Sequence, residues 1–269
     1  METIRTDQLV AKQLNVDLNT AAALIMEGRI WIGHVPAEKP GTPLPADTVI
    51  TCREKAKKYA SRSGYKLEKA LSHFHIDPAN LTVCDIGASN GGFTDCLLQN
   101  GAERVFAVDV AYGILDYKLR IDERVTVLER TNARNLDLEQ LGGTVCDMVT
   151  VDVSFISLKK IYPAIHRVLK DGGEVVTLIK PQFEAKQKDL GKNGILKDPA
   201  ATLPPLMADL FACAAENGLT VLGLTVSPIH GTNGNVEYLA HYRHTAPSEE
   251  EMAGYAAMVE AVMDLQPDV

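Results

Sequence analysis

The sequence predicts an α/β fold: a mostly parallel seven-stranded sheet with helices on both faces and one antiparallel strand, preceded by a small α+β module. Three observations carry the prediction. From residue 81 onward, short β-branched runs alternate with amphipathic stretches, the pattern of parallel strands joined by crossover helices. A glycine-rich turn leads off the first of those runs directly into a helical stretch. Residues 1–50 follow a different pattern, with short helical and strand-like pieces in close succession.

Size and composition permit this and exclude much else. The chain has 269 residues, 46% hydrophobic and 23% charged, an ordinary globular composition for one large domain plus a small one. Disorder, collagen and coiled coil do not fit. No apolar run approaches the ~20 residues that span a bilayer. Met1 to Asp7 is polar and lacks an apolar h-region, so no signal peptide is expected. The five cysteines, Cys52, Cys84, Cys96, Cys146 and Cys213, are odd in number and form no CxxC pair. Neither a disulfide frame nor a zinc cluster is expected, and a reducing cytoplasm is the expected setting.

In the first module, Leu9, Val10, Leu14 and Val16 supply apolar positions, and residues 21–26 predict a second short helix capped by Asn19 or Thr20. Gly28 ends it, residues 29–32 read as a strand, and Gly33-His34 reads as a turn. The proline-rich stretch 36–45 reads as a loop and 48–51 as another strand. The expected boundaries are 1–52 for the module, 53–66 for a basic linker and 67–269 for the main domain. Leu67, Ala70, Leu71 and Phe74 then recur at helical spacing. Strands are predicted at 82–86, 104–110, 125–129, 147–153, 174–179, 220–226 and 236–244, with helices at 92–99, 158–169 and 203–215. The last two strands have no helix between them, so one of them runs antiparallel. Pro204 and Pro205 belong near a first turn or a kink. Ser248 and Glu251 match a capping box, and Met252, Tyr255, Val259 and Val262 form one apolar stripe on a final helix.

Charge is unevenly placed. Residues 1–50 carry a net −2, residues 51–69 a net +5 and residues 70–269 a net −11, for −8 in all. An acidic chain does not coat nucleic acid indiscriminately, but a local basic segment can still dock a phosphate backbone. The candidates for that contact are Arg53, Lys55, Lys57, Lys58 and Arg62; the alternative is a solvated linker.

The glycine turn reads Asp85-Ile86-Gly87-Ala88-Ser89-Asn90-Gly91-Gly92-Phe93. Its spacing is G-x-x-x-G-G. The dinucleotide fingerprint needs a second glycine for backbone to approach a pyrophosphate, and Ser89 stands there instead. A diphosphate ligand, and with it a nicotinamide oxidoreductase, is disfavoured. Asp85 is expected to accept from an ammonium. Asp109, 22 residues after Gly87, ends the second strand, where a carboxylate grips ribose hydroxyls. Adenosine joined to a cationic amino acid, without phosphate, describes S-adenosylmethionine. The expected cofactor residues are Asp85, Gly87, Ala88, Ser89, Gly91, Gly92, Phe93 and Asp109; the alternative is a tight strand–helix turn with no ligand.

Four ionisable residues lie at strand ends or beside them. Asp152 ends the fourth predicted strand, Lys180 the fifth, Glu237 opens the last, and Lys66 lies just before the main domain. Ligands bind at the carboxyl ends of strands in open α/β sheets. Each residue alone reads as a surface salt-bridge partner; their joint arrangement raises the functional reading. No His/Cys/Asp cluster suggests a metal. Trp31 is expected to pack in a core. Phe155 and Phe183 each follow one of the four by three residues, so a substrate-side role is the expectation for either, and base stacking is the alternative reading of Trp31 and Phe155. Loop 184–199, with Lys186, Lys188, Lys192 and Lys197, reads either as a mobile flap or as a flexible loop.

Through these residues the chain resembles the TlyA/hemolysin-A family of RNA methyltransferases, which carry an FtsJ-like catalytic domain. The blocks SRSGYKLEKAL, DIGASNGGFTDCLL, VLERTNARNL, VDVSFISL, IKPQFEA and NGNVEYL occur in order and span almost the whole chain. The resemblance implies a Rossmann-like methyltransferase fold and 2′-O-methylation of ribosomal RNA, with cytidine the implied target and S-adenosylmethionine the methyl donor. It carries a Lys-Asp-Lys-Glu tetrad onto Lys66, Asp152, Lys180 and Glu237. Residues 21–35 and 38–45 are similar to the RNA-binding module of ribosomal protein S-four. Asn19-Thr20 stand where that module commonly has a basic residue, and its net charge here is −2. In the implied reaction Lys180 orients or deprotonates the 2′-hydroxyl, Asp152 holds Lys180, and Glu237 orients Lys66 or the ribose. The hemolysin name suggests a membrane-active alternative, which composition disfavours because the basic stretch lacks a clear apolar face. A non-catalytic RNA-binding assembly factor is the other alternative, and the intact tetrad speaks against it.

Overall fold

The computed structural model describes residues 3–53 and 58–267 and divides the chain into two compact units, 1–58 and 59–269. The division lies earlier than the expected start at residue 67. Tyr59 is buried in the second unit's core and the Ala60 N–H donates to Asp95, so the second half of the expected linker belongs to the second unit.

In the first unit, β1 (Thr3–Arg5) leads into α1 (Thr6–Leu14) and α2 (Leu18–Met26), followed by β2 (Ile30–Ile32), β3 (Val35–Pro36), β4 (Pro43–Pro45) and β5 (Ile50–Cys52). α2 starts a residue before the expected caps. Asp17 caps it, its carboxylate accepting from the Asn19 and Thr20 backbone N–H groups, as short polar residues do at helix starts. Gly33-His34 joins β2 to β3 in an antiparallel hairpin, and β5 pairs with β2 on its other side. β1 pairs with β4, which lies in the stretch that reads as loop because proline at both its ends masks a strand only three residues long. Leu9, Val10, Ala21, Ile25 and Ile30 fill this unit's own core. Trp31 stays half-buried, its Nε1 donating to the Gly28 carbonyl and its ring face covered by the Arg53 guanidinium at 3.7 Å.

The second unit opens with α3 (Ser63–Phe74) and continues β6 (Thr82–Ile86), α4 (Gly92–Gln99), β7 (Arg104–Val108), α5 (Tyr117–Arg120), β8 (Val125–Leu128), β9 (Cys146–Val151), α6 (Tyr162–Val168), β10 (Leu169–Ile179), α7 (Pro181–Glu184), α8 (Pro199–Glu216), β11 (Leu219–Val226), β12 (Tyr238–His244) and α9 (Glu249–Val262). Among the described residues one sheet has seven strands, ordered β11-β12-β10-β9-β6-β7-β8. β12 runs antiparallel to both β10 and β11; the pairs from β10 to β8 are parallel. This is a Rossmann-like methyltransferase arrangement, and β6 and β9, side by side at its centre, bring the glycine turn next to Asp152.

Some elements depart from expectation for physical reasons. β10 begins at Leu169, with a register irregularity between Leu169 and Glu174. α8 begins at Pro199 and contains Pro204 and Pro205 in its second turn. The carbonyls those prolines leave unbonded belong to exposed Ala200 and Ala201, where water can take them. The Ser248–Glu251 capping box forms, and Tyr255, Val259 and Val262 are buried while Met252 stays exposed over α8.

Candidate active site

Two cavities open at the carboxyl ends of the central strands. The larger, about 490 Å³, is lined by the β6 turn, the end of β7, the segment Thr131 to Arg134 and the segment Asp152 to Ile156. The smaller, about 190 Å³, is lined by Ser61, Ser63, Ala88 and Phe93 together with Lys180. Gly87, Ser89, Asp152 and Ser154 line both.

The glycine turn is built by close approach. Gly87 has φ +85°, and a Cβ there would run into the Asp152 carbonyl, so only glycine lets β6 and β9 end this near each other. Gly91 has φ +93° and faces Leu119; Gly92 packs against the Ser61 and Ser63 hydroxyls. These last two shape the turn and do not line the larger cavity. Ser89 adopts φ +50° and its N–H donates to Asp109 Oδ2 at 2.8 Å. Asp109 Oδ1 accepts from the Ala111 N–H at 2.8 Å. Each carboxylate oxygen keeps a further lone pair, so Asp109 lines the cavity as a preoriented acceptor of the kind a ribose diol needs. Glu129 anchors the loop beside it. Its carboxylate pairs with Arg120 and accepts from the Gly113 N–H, and the Arg120 guanidinium holds it below the usual carboxylate range.

Asp85 is placed differently from the expected ammonium contact. It is fully buried behind the turn, where Thr94 and Thr150 donate hydroxyls to its two oxygens at 2.6 and 2.9 Å. Burial is the main cause that pushes its pKa up to about 6, against the pull of both hydroxyls and helped by the charge of Asp152. Its local partners span β6, α4 and β9, so it braces the turn from behind.

The four ionisable residues form two ion pairs. Lys66, in the first turn of α3 and not before the domain, pairs with Glu237 at 2.5 Å; the two are 8% and 2% exposed. Lys180 pairs with Asp152 at 2.6 Å, and both line the smaller cavity. Lys180 also donates to Ser154 Oγ at 2.9 Å. Sequence reasoning missed Ser154, 26 residues from its partner. Thr131 to Arg134 were missed as lining too, although the block VLERTNARNL contains them. Phe155 follows with φ +63° and is 90% exposed, its ring 5.0 Å from that of Phe183. A bulky residue in the left-handed region costs roughly 1–3 kcal/mol and persists where the surroundings enforce it.

Of the basic candidates, Arg53 ends the first unit stacked on Trp31, Lys58 lies at the division, and Arg62 is exposed just before α3. Lys55 and Lys57 lie outside the described residues. Within 184–199, Leu190 and Leu196 form an isolated antiparallel bridge, and Asn233 donates to the Asn193 carbonyl.

The profile of FtsJ-like methyltransferases matches residues 59–244. The chain belongs to the FtsJ-like methyltransferase family. This methyltransferase is 42% identical over 239 residues to the 16S/23S rRNA (cytidine-2′-O)-methyltransferase TlyA of Mycobacterium tuberculosis, covering 88% of each chain. It is 45% identical over 185 residues to Hemolysin A of Brachyspira hyodysenteriae, covering 69% of this chain and 77% of that one. A solved structure of a Streptococcus thermophilus protein with a provisional hemolysin name superposes with TM-score 0.72 at 38% identity, covering 97% of this chain and 96% of that one. The matched segment of the methyltransferase begins where the second unit begins.

Proposed function

We propose that the chain methylates a ribose 2′-hydroxyl of ribosomal RNA, at cytidine, with S-adenosylmethionine as donor. The observation that carries this is the Lys180–Asp152 pair standing where two cavities share a wall. The larger cavity, with Asp109 at its strand end and no diphosphate cradle, suits an adenosine that carries an amino acid. The donor, when bound, supplies a methyl carbon on a sulfonium. Asp109 and Ser89 hold its ribose. The smaller cavity admits the acceptor ribose. Lys180, once its amine has given a proton to solvent, would sit against the 2′-hydroxyl and take the hydroxyl proton as the oxygen bonds to the methyl carbon and the sulfur leaves as a neutral thioether; Asp152 would balance the ammonium that re-forms. Glu237 holds Lys66 in the buried second pair. The first unit and the stretch 53–69 meet the RNA backbone, and the cytoplasm, where ribosomal RNA resides, is the site of action.

The direct test is mass mapping of 2′-O-methyl sites in ribosomal RNA made with and without the protein. A new site at cytidine is expected, and unchanged maps overturn the reading. A liposome-leakage assay beside it tests the membrane-active alternative. Lys180→Ala is expected to lower turnover by roughly 10²–10⁴-fold, the range for a positioned acid–base group, while calorimetric binding of S-adenosylmethionine stays intact. Lys180→Arg should not rescue, because a guanidinium keeps its proton and has another shape. Full activity of Lys180→Ala removes Lys180 from the chemistry.

A further inference from the structure

We propose that Ser154 is a positioning residue that aims the Lys180 amine at the acceptor hydroxyl. This rests on the reading of Lys180 given above. The two contacts of Lys180 differ in kind. Ser154 Oγ accepts a well-formed hydrogen bond at 2.9 Å. The Asp152 oxygen, at 2.6 Å, is buried yet takes no aligned hydrogen bond, so its contact with the lysine is Coulombic. A Coulombic contact fixes distance but not the rotation of a terminal amine; a hydrogen bond fixes rotation. With Ser154 holding one N–H and the Asp152 charge drawing the amine to the strand end, a remaining direction of the nitrogen is available to the smaller cavity, which Lys180 lines. That direction carries the lone pair when the amine is neutral.

The placement of Ser154 supports the same role. It lies on the wall common to both cavities, where a methyl group passing between donor and acceptor must cross. Its backbone is held on both sides. The Asp152 N–H donates to the Ile86 carbonyl at 2.9 Å, and the Asp152 carbonyl abuts Gly87. On the other side Phe155 turns the chain through the left-handed region. The serine hydroxyl is thereby tied to the strand ends. A water molecule in its place would accept the same hydrogen bond without fixing its direction.

The test is steady-state methyl transfer from labelled S-adenosylmethionine to purified ribosomal RNA, with Ser154→Ala, Ser154→Thr, Lys180→Ala and the Ser154→Ala/Lys180→Ala double variant. Ser154→Ala should lower kcat roughly ten- to hundredfold, the value of one hydrogen bond to a charged group, with both KM values and the thermal midpoint unchanged. Ser154→Thr, which keeps the hydroxyl, should restore kcat. In the Lys180→Ala background the serine change should cost nothing more, since residues acting through one another are not additive. Full kcat in Ser154→Ala beside an inactive Lys180→Ala overturns the role of Ser154 alone. An active Lys180→Ala overturns the reading of Lys180 and this inference with it. A loss confined to KM, failure of Ser154→Thr to rescue, or additive losses in the double variant also overturn it.

Discussion

Asp85 shows how one residue can sit in a recognisable motif and do a different job from the one its position suggests. Its carboxyl is fully buried with a pKa of about 6, above the usual carboxylate value of 3.8. A raised carboxyl pKa means the folded state binds more protons than the unfolded state between about pH 4 and 6. Stability is therefore greatest below that window and declines as pH rises through it. A rise from 3.8 to about 6 corresponds to a loss of about 3 kcal/mol by pH 7. Asp85→Asn keeps an oxygen for one threonine and an amide for the other and has no charge to bury. Urea unfolding of this variant should show a flatter dependence on pH between about 4 and 7 than the parent. An equal slope in both proteins would place the proton uptake elsewhere. Glu184 is also pushed up by burial, and its contribution has the same sign.

At the scale of elements, α3 and α4 meet through the absence of a side chain. A Cβ on Gly92 would overlap the Ser61 and Ser63 hydroxyls and come 2.9 Å from the Gly64 nitrogen. Backbone at that distance cannot swing aside, so Gly92→Ala should destabilise by about 1–3 kcal/mol, the cost of overpacking, measured as a lower denaturant midpoint. An unshifted midpoint would mean the two helices separate freely. The main elements were legible because their signals are local: alternation from residue 81, the G-x-x-x-G-G turn, and Ser248 with Glu251. What could not be read depended on partners far along the chain. Asp85 looks like a ligand contact until Thr150, 65 residues away, closes over it. Ser154 is ordinary until Lys180 reaches it. Lys66 reads as linker because the first turn of α3 carries serine and glycine, and its burial depends on Glu237, 171 residues on. β1 and β4 escape because strands of three residues carry no period, and β4 begins and ends on proline.

Across the whole chain, charge is segregated: a net +5 in residues 51–69 against −11 in the residues that follow. A polyanion approaching such a chain is drawn to one stretch and repelled from the rest, so the stretch governs how it lands. Neutralising Lys55, Lys57 and Lys58 together should flatten the plot of log affinity for ribosomal RNA against log salt, by about 0.7–0.9 for each phosphate no longer neutralised. An unchanged slope would make the segment a solvated connection. The wall shared by the two cavities has a separate consequence, for inhibition. Gly87, Ser89, Asp152 and Ser154 border both chambers, so the two ligands would lie on either side of the same four residues. A single small molecule, adenosine at one end and a second nucleoside at the other, can therefore lie across both with its bridge over Asp152 and Ser154. Each half then raises the effective concentration of the other, and such a compound should bind far more tightly than its separate halves while competing with both substrates at once.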